Sequence, residues 1–519
     1  MGYEPNELPI ALPRGRKEFQ IYNDVLHKTS YFVSCDLLSS FCGVETMKIF
    51  HYASLLLLVL VSACTPPQSL SKNENTSSRH PARINPDAPV VVRMIRCYGG
   101  ADERTPPILM LTTPSSGGNN PFSSSARMNT VNPFGNTPDA AGMTIEFDVS
   151  SSITPSVFVR FVHCTLDWQE TRNTMVNDPA QMRTSLVQWE QLAVQSEYAR
   201  YRGKVRLPNA QVQFRFAGNW KAHVFDLNQP DTPLAETRFF VVQPEATVTM
   251  TIQSDIYQPV GRVSPAALLI EGTVSSQALN RTDAQVQSMA VYRNQRWYEP
   301  FIATEQGTLA VHNRHDNYMT APNVQTNVFG MLQTAKQFRF QQIPAQNEYR
   351  ILPTENTTIF PPGSAPSRFL RADLRRNGNY VFRADDGTLI TTGISSTTDD
   401  YVHVEFVFDP EGFPTRYDMY VLGSFNQWRP RADWKMQYDE TQRLYTLRQW
   451  MRRGRHNYLY ATGYVESPPS RIDALNTEEY EGNVVSAGHT FIGFVYAREI
   501  QFGGYDAIIG TAKASTLGR

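Results

Sequence analysis

The sequence predicts an all-β protein made of tandem β-sandwich domains that follow an N-terminal signal peptide. Three observations carry this prediction: short segments that alternate apolar and polar residues, turn residues between these segments, and an apolar run that ends at a cysteine. The chain has 519 residues, and a domain usually has roughly 100–200. Several domains, each with its own core, are therefore expected.

Alternation with a period of two identifies the strands. Segments 157–164, 212–216 and 402–408 place β-branched or aromatic residues at every second position. Such alternation gives a strand one face for the core and one for solvent. These three segments are therefore predicted to be strands of sandwich domains.

Turn residues between the apolar segments indicate how the strands are connected. The dipeptides Asn377-Gly378 and Asp386-Gly387 are typical of tight hairpins, so antiparallel pairing is expected. Helical periodicity is found only around residues 181–199, where an inserted helix or a long loop is predicted.

Two breaks divide the predicted strands into three bodies. The first break lies near Pro244, after a strand-like apolar run, and the second near Asp399, within a polar stretch. Each body has the length and strand spacing of an immunoglobulin-like sandwich. The predicted domains are a first β-sandwich at 88–244, a middle β domain at 245–398 and a C-terminal β-sandwich at 399–513.

Composition excludes some function classes. The formal net charge is −1, so the chain lacks the excess of Lys and Arg with which nucleic-acid binders neutralise phosphates. Hydrophobic residues make up 41% and charged residues 19%, as in folded soluble domains. We therefore expect no nucleic-acid partner.

The five cysteines do not indicate a metal site or a disulfide scaffold. None of them has the paired C-x2-C spacing of a zinc ligand set. Cys97 and Cys164 could form one disulfide or remain separate buried thiols, and the sequence does not choose between these states. No metal and no cofactor are predicted.

The N-terminal region has the layout of a lipoprotein signal peptide at residues 47–63. An apolar run follows Lys48 and is shorter than the roughly 20 residues that a membrane-spanning helix needs. It ends in Val61, Ser62, Ala63 and Cys64, which resembles a lipobox. Cys64 is therefore predicted to be acylated and to become the first residue after cleavage.

The segments on either side of the signal peptide differ in character. Residues 1–46 contain no recognisable module, and Met47 places a lysine directly before the apolar run, so we interpret 1–46 as a misassigned start or an extended leading region. Residues 64–87 are rich in Pro, Ser and Asn, which is typical of a flexible tether.

No catalytic constellation can be assembled from the sequence, and we predict that the chain is not an enzyme. A G-x-S-x-G elbow, a phosphate loop and an H-E-x-x-H helix are all missing. His163 is adjacent to Cys164, but neighbouring residues of a strand point to opposite faces, so a nucleophile pair is not expected.

A second group of polar residues is also interpreted as structural. His312, His315 and Asp316 have a loosely ligand-like spacing. The Asn and Arg residues around them are typical of a solvated loop, which is the interpretation we adopt.

Several motifs of aromatic and turn residues occur in one order across the three bodies. They lie at 161–168, 218–226, 328–330, 337–340 and 420–428. In that order they resemble the plug protein family of the type IX secretion system, which consists of lipoproteins from Gram-negative bacteria. The resemblance runs from about Val90 to Thr511.

The resemblance implies a non-catalytic function in protein transport. Plug proteins are thought to bind the periplasmic mouth of a large outer-membrane β-barrel translocon and to close it while no cargo passes. The tether supports a position in the outer membrane that faces the periplasm, because residues 65–72 lack an acidic cluster for export to the cell surface. The implied partners are the translocon and, through the acyl anchor at Cys64, the membrane.

A carbohydrate-binding surface lipoprotein is the alternative. The C-terminal body also resembles early-set sandwiches of the glycogen-binding type, which stack sugar rings on exposed tryptophans. Trp428 and Trp434 are the candidates for sugar or partner contact, although tryptophans are more often buried in a core. The basic run 452–456 could contact lipid A phosphates or an acidic partner, but it is more simply interpreted as an exposed hairpin tip.

Overall fold

The structure is a computed structural model. It describes residues 89–100, 102–111, 142–193, 196, 198–256, 266–275, 286–305, 325–332, 335–363, 365–376, 400–466 and 471–516. The signal peptide, Cys64, the tether and both predicted hairpin turns at 377 and 386 lie outside these ranges. The predictions for those segments therefore stay predictions.

The described residues form an all-β protein, as the sequence predicts. The strands, in chain order, are β1 (Val91–Gly99), β2 (Ile108–Met110), β3 (Met143–Ser150), β4 (Val157–Cys164), β5 (Arg183–Thr184), β6 (Gln188–Gln191), β7 (Tyr201–Leu207), β8 (Gly218–Asp226), β9 (Ala235–Val242), β10 (Thr247–Ile256), β11 (Ala266–Ser275), β12 (Val286–Arg293), β13 (Phe301–Thr304), β14 (Gln325–Leu332), β15 (Ala335–Pro344), β16 (Arg350–Pro353), β17 (Ser367–Arg368), β18 (Asp373–Leu374), β19 (Tyr401–Asp409), β20 (Asp418–Gly423), β21 (Gln437–Asp439), β22 (Leu444–Arg452), β23 (Arg455–Glu466), β24 (Arg471–Asn476), β25 (Thr490–Glu499) and β26 (Tyr505–Ser515). A short helix, α1 (Glu478–Glu481), and three 3₁₀ turns at Ser424–Asn426, Ala432–Trp434 and Gln501–Gly503 complete the elements.

These strands form five sheets, which we name A to E. Sheet A has the order β1-β3-β7-β6, sheet C the order β10-β11-β15-β14, and sheet B the order β13-β12-β25-β26-β9-β8-β4-β5 with β2 beside β9. Sheet D has the order β16-β23-β20 with β24 beside β23, and sheet E the order β17-β19-β22-β21 with β18 beside β19.

Three hydrophobic cores define three sandwiches. Sheet A packs on one half of sheet B around Phe147, Phe161 and Trp220. Sheet C packs on the other half of sheet B around Ile270 and other apolar residues. Sheets D and E enclose a third core that contains Phe406. Each fully buried aromatic ring stabilises its sandwich by about 1.5–3 kcal/mol.

Sheet B runs through two of the sandwiches without interruption. β9 of the first sandwich pairs with β26, where Ile508 lies beside Val242 in parallel register. On the side of sheet B away from both cores, Phe240 of β9 stacks on Phe494 of β25 with ring centroids 4.1 Å apart. Backbone pairing and ring stacking therefore cross the predicted break near Pro244.

The last two strands correct the predicted composition of the C-terminal body. The segment 399–513 was expected to form one sandwich, yet β25 pairs with β12 of the middle body from Val286 to Arg293. β25 and β26 thus complete the middle sandwich, and the third sandwich is built from residues between β16 and α1. The predicted bounds of the C-terminal body were wrong because strand pairing joins segments about 200 residues apart. No local pattern in the sequence records such pairing.

Two local predictions need correction. Of the two alternatives for 181–199, the inserted helix does not form in the described residues; β5 and β6 lie there between irregular segments, and Trp189 of β6 packs edge-on against Phe147 at 5.7 Å. The segment 212–216 belongs to no strand, although Val212 and Phe214 point into the first core. In both cases packing against the core decides the backbone, since helical spacing and alternation alone do not fix it.

Gly203 supplies a test of the first core. It lies opposite Phe147 in the β3–β7 ladder, and a Cβ placed on it would lie 2.8 Å from the Phe147 ring and 2.9 Å from Val187 Cγ1. We expect Gly203→Ala to lower the free energy of unfolding by about 1–3 kcal/mol, because the added methyl overpacks a filled core.

Urea unfolding of the purified chain measures this effect. Gly412→Ala is the matched control, since a Cβ at Gly412 would have no atom within 4 Å. Equal stability of the two variants would contradict the packing described for sheet A.

Candidate functional site at the junction of the sandwiches

The outer face of sheet A carries charged residues that are buried. Along β3, Ile145, Phe147 and Val149 point into the core, so Glu146 and Asp148 point the other way. Such a face is normally solvated, but the exposed fraction of the side chain is 3% for Glu146 and 0% for Asp148. The third sandwich covers them.

Glu146 is held by arginines from two sandwiches. Arg96 of β1 donates to Glu146 Oε1 at 2.6 Å, and Arg452 at the end of β22 donates to the same oxygen. Arg96 also contacts Glu103 at 2.7 Å. The carboxylate thus bridges sheet A and sheet E.

Asp148 forms the second half of the junction. Arg202 Nε on β7 donates to Asp148 Oδ1 at 2.8 Å, and the Tyr401 hydroxyl of β19 donates to Asp148 Oδ2 at 2.8 Å. Arg202 Nη2 also lies 3.6 Å from Asp400 Oδ1. The contacts again join the first sandwich to the third.

The arginines decide the ionisation of both carboxyl groups. Burial alone would raise the pKa of Glu146 and of Asp148, because a low dielectric disfavours the charged form. Nearby guanidinium groups outweigh this effect and hold both pKa values below the usual range. The network therefore stays ionised at neutral pH while both sandwiches are in contact.

Further hydrogen bonds and a ring contact surround the ionic network. Gln427 Nε2 donates to the Ile95 carbonyl at 3.1 Å, and the Ala193 N–H donates to Asp400 Oδ2 at 3.0 Å. Tyr198 stacks on Trp450 of β22 with centroids 5.6 Å apart. These contacts fix the orientation of the third sandwich on the first.

The basic run 452–456 is not the exposed hairpin tip that was expected. Arg452 binds Glu146, Arg453 donates to the Thr354 and Phe360 carbonyls at 2.9 and 3.0 Å, and His456 is fully buried. Of the run's charged side chains, only Arg455 is exposed. The run was misjudged because its acidic partners come from a strand about 300 residues earlier.

Trp428 and Trp434 do not offer exposed faces for sugar stacking. Trp428 is 3% exposed, with Tyr349 at 4.5 Å and the Arg296 guanidinium at 5.3 Å from its ring. Trp434 is 8% exposed and stacks on Phe425 at 4.5 Å. Both belong to packed interiors, which favours the core interpretation of these tryptophans over sugar or partner contact.

A small cavity lies where the three sandwiches meet. Its volume is about 90 Å³, whereas pockets for drug-sized ligands measure about 300–1,000 Å³. The residues around it include Arg96, Tyr98, Arg238, Tyr298 and Gln427. A cavity of this size is too small for a sugar chain.

His163 and Cys164 have separate environments. The His163 Nε2 lies 3.2 Å from the Ala217 carbonyl, and burial lowers the pKa of this histidine to about 4. Cys164 Sγ faces the Val162 carbonyl at 3.7 Å, and burial raises its pKa to about 12. A protonated thiol is a poor nucleophile. Cys97 and Cys164 are both free thiols.

Other predicted sites lie beyond the described ranges. These are Cys64 with the lipobox Val61, Ser62 and Ala63, and the loop with His312, His315 and Asp316. Within the described ranges, no group of three His, Cys, Asp or Glu side chains is arranged to hold a metal. Likewise, no helix there is long and apolar enough to cross a membrane.

Comparison with known proteins relates part of the first sandwich to a protein family. Residues 123–243 match the family model of the type 9 secretion system plug protein, first domain. The chain carries a plug first domain. The resemblance inferred from the sequence is thereby confirmed, and the match links the chain to type IX secretion.

A solved structure agrees with the fold. A crystal structure of a hypothetical protein from Parabacteroides merdae ATCC 43184 matches with a TM-score of 0.60 and 19% sequence identity, covering 82% of this chain and 97% of that chain. At this identity the match shows the fold alone. No curated protein matches the chain.

The junction between the plug first domain and the third sandwich can be tested by removing one charge. We expect Asp148→Asn to lower the free energy of unfolding by about 3–5 kcal/mol, because the buried Arg202 would lose its closest carboxylate and Arg452 would keep only Glu146. Urea unfolding measures the change.

A surface ion pair is the control for this experiment. Glu190, 56% exposed, lies 3.3 Å from Lys204 on the same sheet, and Glu190→Gln should cost at most about 1 kcal/mol. A small effect for Asp148→Asn as well would show that the junction does not fix the sandwiches.

Buried histidines predict a pH dependence. Burial lowers the pKa of His163 and of His456 to about 4, from the usual 6.5 of histidine. The unfolded chain therefore binds more protons between these values, and the stability present at pH 7 is lost as the pH falls from about 6.5 to 4. Each histidine contributes at most about 1.4 kcal/mol per pH unit.

The variant His163→Gln should reduce this slope, since glutamine does not titrate. The measurement is the free energy of unfolding at several pH values across that window. An unchanged slope would mean that His163 is not held neutral in the folded plug domain.

Proposed function

We propose that the chain is a non-catalytic lipoprotein that docks on the periplasmic mouth of the outer-membrane type IX translocon. It closes the translocon while no cargo passes. The anchor is the acylated Cys64, and the outer membrane is the site of attachment. The observation that carries this proposal is the match of residues 123–243 to the plug first domain.

The joined sandwiches support an occluding function. A plug must resist deformation, because a body that bends at its linkers would leave gaps. Here sheet B is common to two sandwiches, and the third is fixed to the first through Glu146 and Asp148. The described chain from residue 89 onward forms one compact unit. One compact unit suits closure of an opening better than domains joined by flexible linkers.

The predicted N-terminus supports attachment to the membrane. Two or three acyl chains bury many methylenes at about 0.8 kcal/mol each, so anchoring would be stable. The tether at 64–87 then keeps the body near the translocon at high effective concentration. The lack of an acidic cluster at 65–72 favours the periplasmic side.

The carbohydrate-binding alternative has lost its structural basis. It rested on exposed faces of Trp428 and Trp434, and both rings are covered. The non-catalytic character is supported by the separate environments of His163 and Cys164. We therefore retain the plug function alone.

Affinity purification tests the proposal. The tagged full chain is expressed in its native host, the outer membrane is solubilised in detergent, and the co-purified chains are identified by mass spectrometry. We expect the giant translocon barrel in nearly stoichiometric amount. For the fraction that is not bound to the barrel, the variant Cys64→Ala should lose the membrane association, because the acyl chains provide it.

The two readouts separate the parts of the proposal. If the fraction free of barrel stays at the membrane independently of Cys64, the acyl anchor is rejected, while the docking function is still decided by the barrel readout. Recovery of glycan without the barrel, or of the chain alone, would reject the plug function.

A further inference from the structure

A pocket lies at one end of the third sandwich, and we name it the distal pocket. Its walls are the loop 410–417 between β19 and β20, Arg375 directly after β18, and Glu479 and Tyr480 of α1. The volume is about 410 Å³, within the roughly 300–1,000 Å³ of ligand pockets. The junction with the first sandwich lies at the other end of β19, where Tyr401 begins the strand. The distal pocket is therefore separate from that junction.

The loop that forms one wall is held by hydrogen bonds near both of its ends. The Glu411 N–H donates to Asp409 Oδ1 at 2.8 Å, and the Thr415 N–H donates to the Tyr445 hydroxyl at 2.9 Å. The loop also contains two prolines, whose rings restrict the backbone angle φ. A wall that is fixed before binding loses little conformational entropy when a ligand binds.

Arg375 brings a positive charge to the wall of the distal pocket. Its guanidinium lies 5.7 Å from the ring centroid of Tyr480, which packs edge-on against Phe408 of the third core at 5.0 Å. Among the described residues this guanidinium has no carboxylate partner, and its buried Nε has no hydrogen-bond acceptor. The next residue, Arg376, by contrast lies 3.5 Å from the Glu481 carboxylate. Arg375 is therefore positioned by ring stacking, and its charge is available to an anion in the pocket.

The other charges of the lining favour a singly charged anion. Arg416 adds a second guanidinium, but Glu411 and Glu479 also line the pocket. Glu479 Oε2 accepts a hydrogen bond from the Thr462 hydroxyl at 3.0 Å. Two carboxylates repel a phosphate dianion more strongly than a monoanion, because the Coulomb energy scales with charge. A carboxylate also matches the planar fork of a guanidinium.

Apolar surface borders the same pocket. The Phe413 side chain is 94% exposed and the Tyr417 side chain 41% exposed, and both residues belong to the lining. Removing such a ring from water is favourable. A ligand that carries an apolar group beside its carboxylate gains this contribution in addition to the ion pair.

We propose that the distal pocket binds a ligand whose carboxylate pairs with Arg375 and Arg416 and whose apolar group covers Phe413. A free apolar carboxylic acid and the C-terminal end of a polypeptide carry this same chemistry, and the test separates the two sources. The site lies on the third sandwich, outside the residues 123–243 that match the plug first domain. The inference therefore does not depend on docking to the translocon.

Ligand-observed NMR titration of the purified full-length chain tests the proposal. The first probe is N-acetyl-phenylalanine, which carries a carboxylate beside an aromatic ring, and we expect saturable binding. Its amide, N-acetyl-phenylalanine amide, should bind roughly tenfold more weakly or less, because it lacks the charge that the guanidinium groups recognise. Inorganic phosphate should bind more weakly than the acid. A tetrapeptide of three alanines and a C-terminal phenylalanine, with a free carboxylate, represents the end of a polypeptide.

Two variants connect binding to the pocket. Arg375→Gln should weaken binding of N-acetyl-phenylalanine roughly tenfold, because the main ion pair is lost. Phe413→Ser should also weaken it, and since Phe413 is exposed this variant keeps the test valid if Arg375→Gln fails to fold. Arg431→Gln is the matched control, because Arg431 is 59% exposed on the same sandwich and pairs with Asp433 outside the pocket. Thermal unfolding of each variant shows whether it is folded.

Each outcome decides the proposal. Saturable binding of the acid that is weakened in the amide, in the folded pocket variants and not in Arg431→Gln supports it. Tighter binding of the tetrapeptide then assigns the site to the end of a polypeptide, and equal or weaker binding assigns it to a free acid. No saturable binding of acid or tetrapeptide up to about 10 mM, tighter binding of phosphate, or binding unchanged by Phe413→Ser and Arg375→Gln would overturn the proposal.

Discussion

The carboxylates of Glu146 and Asp148 can remain ionised in the interior only while arginines from two sandwiches surround them. Arg96 and Arg202 belong to sheet A, whereas Arg452 comes from the third sandwich. Separating the sandwiches would leave charges that need either water or protonation. The relative position of the first and third sandwiches depends on this requirement. Apolar packing alone would allow several orientations.

Sheet B provides the second constraint. Hydrogen bonds between β9 and β26 and the stacking of Phe240 on Phe494 make two cores share one sheet. A sandwich that contributes strands to its neighbour's sheet cannot rotate about a linker. Together with the ionic junction, this sharing converts a chain with the length of several domains into one compact unit.

This arrangement uses for stability several residues that look functional in the sequence. The side chains of Trp428 and Arg452 lie inside the molecule. Residue type alone therefore does not mark a recognition surface in this chain.

The sequence by itself determined the all-β class, because alternation in segments such as 157–164 and 402–408 reflects which face each side chain must take. It also determined the family resemblance, whereas the predicted lipobox at Cys64 rests on local residue order. Only the tertiary structure decided that β25 and β26 complete the middle sandwich and that Glu146 is buried against Arg452. The physical reason is that strand pairing and charge burial depend on residues hundreds of positions apart, and local periodicity carries no record of them.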